Sequence, residues 1–407
     1  MKRCMHAAAW VLLLTLLGCA PLWAASMLAG RENIVREGYA SWTGVLRMWC
    51  CEGWQSGSGS IARWLDECIT TFEKRHPGVY VHRMEVSAEE MREFASVSDY
   101  PPDVIVYAPG MLEAPYGLLE LTEEYDLLPS VEGLGLWEGR RYACAAALGG
   151  YALAINSQLL PTASEFRSAM TAESASRRWD VLNMPADSDW LSWSAAMICL
   201  FCLEDTAQEG VEVPLGDGID LGLPASASGE ARTETALFEQ MAEKFGRQSS
   251  VYADFTAGRL AAMPVTQREI RRLELLGEGG KAPDWRVEIS GMPFTDQAAL
   301  VSVTVQDRQD AGARQALCLE LVDTILSERM QQRLTQVRAF AAADIAPLYA
   351  AGRSMSPIER ALRSEMLLVP PAFGSLWRMQ AAEFIKGIGP GESARSAYEK
   401  LRVLVEK

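Results

Sequence analysis

Histidine is almost missing from this 407-residue chain: His6, His76 and His82 are all it has. A His-rich metal site or a His-centred catalytic triad needs imidazoles converging on one point, and there is little material for either. Positive charge is also short. Lys and Arg number 38 against 53 Asp and Glu, a formal charge of −15, which opposes binding to the phosphates of nucleic acid or to anionic lipid. A neutral or cationic ligand fits better. The Gly/Ser-rich stretch 53–60 lacks a following Gly-Lys-Ser/Thr and runs into Ile61-Ala62, so it is no phosphate loop. Glu89-Glu90 and Glu123-Glu124 are sequence neighbours, which do not face one another on a helix, and they read as solvated surface rather than a glycosidase pair. No cofactor or metal is expected.

The length suits two, or three, compact units at about 150 residues each. Hydrophobic residues at 49% and charged residues at 22% suffice for a sizeable core and exclude wholesale disorder. Residues 1–25 carry Lys2 and Arg3, an apolar stretch over 7–17 and then small residues, the order of an export signal. That apolar stretch falls short of the roughly 20 residues a bilayer span requires, and no later stretch approaches that length. Two cleavage sites compete. Leu16-Leu17-Gly18-Cys19 has the form of a lipobox, with Cys19 lipidated, whereas Leu22-Trp23-Ala24 suits ordinary signal peptidase. The lipoprotein is favoured, with 26–43 as a tether. The location expected is the extracellular face of the membrane or the periplasm.

The nine cysteines become seven if Cys4 is removed with the leader and Cys19 is lipidated, and an odd number does not make a closed disulfide framework. Cys68 and Cys318 fall on apolar helix faces, and Cys50 and Cys51 end a strand. Cys199 and Cys202 match C-x-x-C inside an apolar run without a second pair, so core packing is preferred to a redox or zinc role.

From Gly44 the pattern alternates between strand and helix. Strand 45–49 precedes a helix whose Ile61, Trp64, Leu65, Cys68, Ile69 and Phe72 share one stripe, closed by His76-Pro77-Gly78. A strand over 79–86, a helix over 87–97 and a buried strand over 104–107 follow, which predicts βαβ units and an α/β fold. Two extended pieces within 142–156 flank Gly149-Gly150, a candidate hinge. Beyond it come a long apolar helix within 180–204, a loop over 209–229, and a helix over 233–248. A short helix then leads into a strand over 255–264. A strand over 298–305 and helices over 314–330 and 393–405 complete the pattern.

Several of these segments together resemble the bacterial extracellular solute-binding proteins of ABC importers, the family that includes maltose- and other sugar-binding proteins. The residues that carry the likeness are Gly44-Val45-Leu46-Arg47-Met48-Trp49, Phe72-Glu73 through Pro77-Gly78, Pro102-Asp103-Val104-Ile105, Trp137 through Asn156 ahead of Leu159-Leu160, and Phe255-Thr256-Ala257-Gly258 through Ala262-Met263. The resemblance implies a two-lobed periplasmic-binding-protein-like type 2 fold, with hinge strands and an interlobe cleft. Lobe 1 is expected over 44–148 plus about 290–335, and lobe 2 over 149–289 plus about 336–407. It also implies a non-enzymatic receptor that closes on a small solute, most naturally a carbohydrate, and delivers it to permease transmembrane subunits as a monomer.

Candidate ligand groups follow from strand ends, which face a cleft in such folds. Glu52, Trp54, Gln55 and Ser56 sit on the loop after the first strand, where an indole can stack on a sugar face and the others can bond hydroxyls; the alternative is a surface loop. Where sugar binders of the family often carry further aromatics, this chain has Cys50-Cys51. Tyr107 ends the third strand, with a core role as the alternative. Tyr151 adjoins the hinge. Trp190 and Trp193 open an apolar helix as a possible aromatic wall, with core packing as the competing role. Thr266 and Gln267 close the Ala-Met strand or simply start a helix. Asp103 reads as a strand-start or capping residue. An exported glycan hydrolase and a sensory or adhesive lipoprotein are the other functions considered.

Overall fold

A computed structural model describes residues 42–96, 101–160, 180–182, 190–208, 251–278, 287–305, 311–388 and 394–405. The leader with Cys19, the tether up to residue 41, the 209–229 loop and the 233–248 helix lie outside them.

Strand β1 (Gly44–Cys50) feeds a loop and then α1 (Ile61–Arg75). Ser60 caps that helix by accepting the backbone N–H of Arg63 at 3.2 Å. The stripe read from the sequence is the buried face, with Trp64, Leu65, Cys68 and Phe72 at 1% exposure or less. Strand β2 (Val79–Glu85) is followed by α2 (Ala88–Arg92), held by a Ser87/Glu90 capping box. This helix is shorter than its pattern suggested, giving way to a 3-10 turn over Phe94–Ser96. Strand β3 (Val104–Tyr107), the hairpin β4 (Leu136–Trp137) and β5 (Arg140–Arg141), and β6 (Cys144–Leu148) come next.

The chain then passes through Gly149-Gly150 into β7 (Tyr151–Asn156) and β8 (Asp180–Leu182). Helix α3 (Trp190–Gln208) is buried on every side from Leu191 to Leu200, with Ser192 and Ser194 among otherwise apolar side chains, as a helix covered on several sides must be. Then follow α4 (Val251–Thr256), β9 (Leu260–Thr266), α5 (Gln267–Glu278), β10 (Val287–Met292) and β11 (Ala298–Val303). The remainder is α6 (Ala311–Leu326), α7 (Glu328–Gln332), α8 (Leu334–Val337), β12 (Phe340–Ala341), α9 (Ser356–Leu362), α10 (Leu376–Lys386) and α11 (Ala394–Val405).

Two main sheets result. The first has the order β12-β6-β11-β3-β1-β2, with β1 parallel to both β2 and β3 and the other pairs antiparallel. The second has the order β10-β7-β9-β8, with only β8 and β9 parallel. The chain crosses between them at 148–151, again between β10 and β11, and a third time after β12, since α9 packs on β10. Helices α1 and α6 cover one face of the first sheet, and α3, α10 and α11 enclose a core beside the second. A third core, which includes Trp49, Tyr107, Ala152, Phe255 and Ile358, is continuous across the junction.

All seven cysteines within the described residues are buried, and none is in a disulfide. Burial pushes the thiol of Cys50 up to about 12, so it behaves as a small apolar side chain rather than a nucleophile. Asp103 stands immediately before β3, where both carboxylate oxygens accept from Arg314 at 2.7 and 2.6 Å and Oδ2 also accepts the Arg47 N–H at 2.7 Å.

Candidate functional site

The junction between the two sheets is a polar seam. Its centre is Gln267, the first residue of α5, which is fully buried. Its Nε2 donates to the Gln55 carbonyl at 2.8 Å and to Gln297 Oε1 at 2.9 Å, while its Oε1 accepts the Gly150 N–H at 3.1 Å. One amide therefore ties the loop after β1 to both crossings. Gln55 also bonds through its side chain to Arg268. Thr295 Oγ1 donates to the Gly149 carbonyl at 2.8 Å, and Gly149 N–H donates to the Gln297 carbonyl at 2.6 Å.

Neither hinge glycine occupies the left-handed region. Their role is close approach: a Cβ on Gly149 would overlap the Gln297 side chain, and one on Gly150 would overlap Ile358. The pair marks the crossing, as the sequence suggested, but for reasons of space rather than bending.

Beside the hinge lies an aromatic and carboxylate cluster. The Tyr151 ring packs edge-on against Trp193 with centroids 4.6 Å apart, and lies 5.9 Å from Phe294. Its hydroxyl donates to Asp296 Oδ1 at 2.7 Å, and Ser192 Oγ donates to Oδ2 at 2.5 Å. Arg378 Nη1 stands 3.9 Å from Oδ2. Burial raises the Asp296 carboxyl above the usual range, opposed by the two hydroxyl donors. Burial, and then the charge of Asp296, pushes the Tyr151 phenol well up.

Arg378 leads to its neighbour. Trp377 is 4% exposed, and among the described residues its indole N–H has no hydrogen-bond partner. It lies where the two halves meet: a Cβ on Gly110, which follows β3 with φ +70°, would stand 3.5 Å from Nε1. The same two segments pair through Gly110 N–H to the Ala372 carbonyl at 2.9 Å, Gly374 N–H to the Leu112 carbonyl at 2.8 Å, and Ser375 Oγ to Glu113 Oε1 at 2.7 Å.

The residues expected at the site are thus dispersed. Gln55 and Gln267 lie in the junction and Tyr151 adjoins it, while Trp193 is buried in the core beside the second sheet, against Tyr151. Glu52 Oε1 accepts the Ala62 N–H at 2.6 Å, holding the first turn of α1. Trp54 is half-buried against the core of the first sheet, and the space beneath its loop is only about 10 Å³, the size of a single water. Ser56 Oγ donates to the Gly59 carbonyl at 3.1 Å. Tyr107 is 1% exposed, its hydroxyl 3.1 Å from Ser302 Oγ. Thr266 bonds Glu269 through its N–H and hydroxyl at 3.0 and 2.6 Å. Trp190 opens α3, and its side chain lies outside the described residues. The sequence reading passed over Asp296, Gln297, Trp377, Arg378, Glu113 and Ser375. The Thr295-Asp296-Gln297 run directly before the apolar strand over 298–305 was the visible signal for the first pair.

No protein-family model matches the chain, and no curated protein matches it in sequence. Solved structures do match. The GacH receptor of Streptomyces glaucescens, solved unliganded and with acarbose and an acarbose homolog, is 16% identical, with a TM-score of 0.54 over 90% of this chain and 99% of that one. A cyclic α-maltosyl-1,6-maltose binding protein from Arthrobacter globiformis is 12% identical, with a TM-score of 0.59 over 90% and 100%. An ABC substrate-binding protein from Listeria monocytogenes in complex with cycloalternan is 13% identical, with a TM-score of 0.50 over 89% and 98%. The chain therefore has the mixed α/β, two-domain type 2 fold of these binding proteins, in agreement with the resemblance drawn from its sequence.

Proposed function

We propose that the protein is an exported receptor that captures a sugar or oligosaccharide between its two lobes and passes it, chemically unchanged, to the permease of an ABC importer. The observation that carries this reading is the buried indole N–H of Trp377 at the lobe junction, which among the described residues has no partner. A buried donor without an acceptor is costly, and a ligand hydroxyl or ring oxygen would satisfy it. Elsewhere along the junction, Tyr151 supplies an aromatic ring and Gln55 and Gln297 supply neutral polar groups suited to hydroxyls, while Glu113 and Ser375 flank the segment that carries Trp377. The three structural neighbours are binding proteins with carbohydrate ligands, which supports capture rather than hydrolysis.

In this reading lobe 1 comprises the strands of the first sheet and lobe 2 those of the second. Gln267 reports closure because it bonds the β1 loop and the hinge at once. Cys19 anchors the monomeric receptor to the outer face of the membrane. A thermal-shift screen of neutral oligosaccharides tests the function: at least one should raise the melting temperature and be recovered intact, and release of cleaved sugar would overturn it. Calorimetry on Trp377→Phe, which removes only the N–H donor, should show that ligand bound about tenfold more weakly with little change in melting temperature.

A further inference from the structure

Cations are scarce in this protein, yet four of them converge on one outer concavity of the first lobe. Lys74 and Arg75 in the last turn of α1, with Arg329 and Arg333 from α7 and the start of α8, line a space of about 300 Å³. Glu67 is its single acidic lining residue, and it is paired with Arg333 at 2.6 Å. The nearby Glu320 is engaged by His76 at 3.1 Å. Lys74, Arg75 and Arg329 have no hydrogen bond or ion pair among the described residues, so the concavity holds three uncompensated positive charges in a chain of net −15. Like charges gathered in a hollow repel one another, and an anion with several acceptor oxygens relieves that repulsion while accepting from the Arg forks and the Lys ammonium.

We propose that this concavity binds a phosphate-bearing anion, and that its source is the headgroup of an anionic phospholipid. The choice of source rests on where the chain enters. The Gly44 N–H donates to the Gly78 carbonyl at 3.0 Å, so the segment leading in from Cys19, the lipid-bearing residue of the proposed receptor on which this choice rests, joins the fold three residues beyond Arg75. The loop that carries Gln55 leaves the opposite end of β1, about 20 Å away at a strand rise of about 3.3 Å per residue. A membrane held at the cationic end leaves the lobe junction facing solution, where a solute arrives and a closing motion is unobstructed.

The test is flotation of the full chain with phosphatidylglycerol and with phosphatidylcholine vesicles. Stronger binding to phosphatidylglycerol, falling with salt, is expected. Lys74→Glu/Arg329→Glu should lose that preference by about tenfold or more, and the milder Lys74→Gln/Arg329→Gln should lose part of it with an unchanged melting temperature. The charge-matched Arg353→Glu/Lys400→Glu variant, altered at exposed positions elsewhere, should keep it. Equal binding to both lipids, or an equal loss in the charge-matched variant, would sink the proposal. Calorimetric binding of inorganic phosphate, abolished by Lys74→Glu/Arg329→Glu and accompanied by no lipid preference, would overturn the membrane assignment in favour of a soluble anion.

Discussion

Two buried aspartates show how differently this molecule treats its interior and its junction. Asp103 is completely enclosed, and both its oxygens are held by the Arg314 fork with a backbone N–H added. Asp296 is nearly as buried, its side chain 13% exposed, but it is met by two hydroxyls and by a guanidinium still 3.9 Å away. A charge closed by a bidentate partner is a structural rivet. A carboxyl held by neutral donors, with its guanidinium still at arm's length, is polarity left open where two halves meet. The difference separates what holds a lobe together from what stays polar at the junction.

The comparison breaks most visibly at Arg314. Arg314→Met leaves Asp103 charged and unpaired, and should cost about 3–5 kcal/mol in urea unfolding, because the remaining carboxylate has no access to water. Gln267→Leu acts on the junction instead, stranding the Gly150 N–H, the Gln55 carbonyl and Gln297 Oε1. A loss of about 1–3 kcal/mol is expected, with a larger radius of gyration by small-angle scattering as the lobes part. An unchanged radius would mean that the seam does not hold the lobes shut. Asp296→Asn should have the smallest effect at neutral pH, within about 1 kcal/mol, since an amide oxygen still accepts one hydroxyl. Its signature lies in pH. Because burial raises the folded-state pKa of Asp296, the protein loses stability as pH rises from the ordinary aspartate range to that raised value. Asn at this position should flatten the slope. A slope that survives the substitution would assign it to other carboxyls.

Local periodicity carried much of the fold. The stripe from Ile61 to Phe72, the apolar strands and the glycine pair were legible because each depends on neighbours within a dozen residues, and the structure keeps them all. Helix α6 stops at Leu326, short of the 330 its pattern allowed, because Ser327 turns the chain into the separate helix α7. The strands β8 and β10 escaped notice for a different reason. Asp180–Leu182 is three residues long, and Val287–Met292 contains Glu288 and Gly291, so neither has the length or alternation that marks a strand without its partner. The helices α9 and α10 were likewise passed over.

By itself the sequence determined a mixed α/β chain with buried thiols and an excess of acidic residues, all properties of composition and short-range pattern. Only the tertiary structure decided that Gly110 would meet Trp377, that Gln267 would reach Gln55 across more than two hundred residues, and that the cations of α1 and α7 would share one hollow. Such encounters depend on how two sheets and their crossings pack. A side chain spaced for burial in its own helix or strand carries no local mark of the distant group it will face.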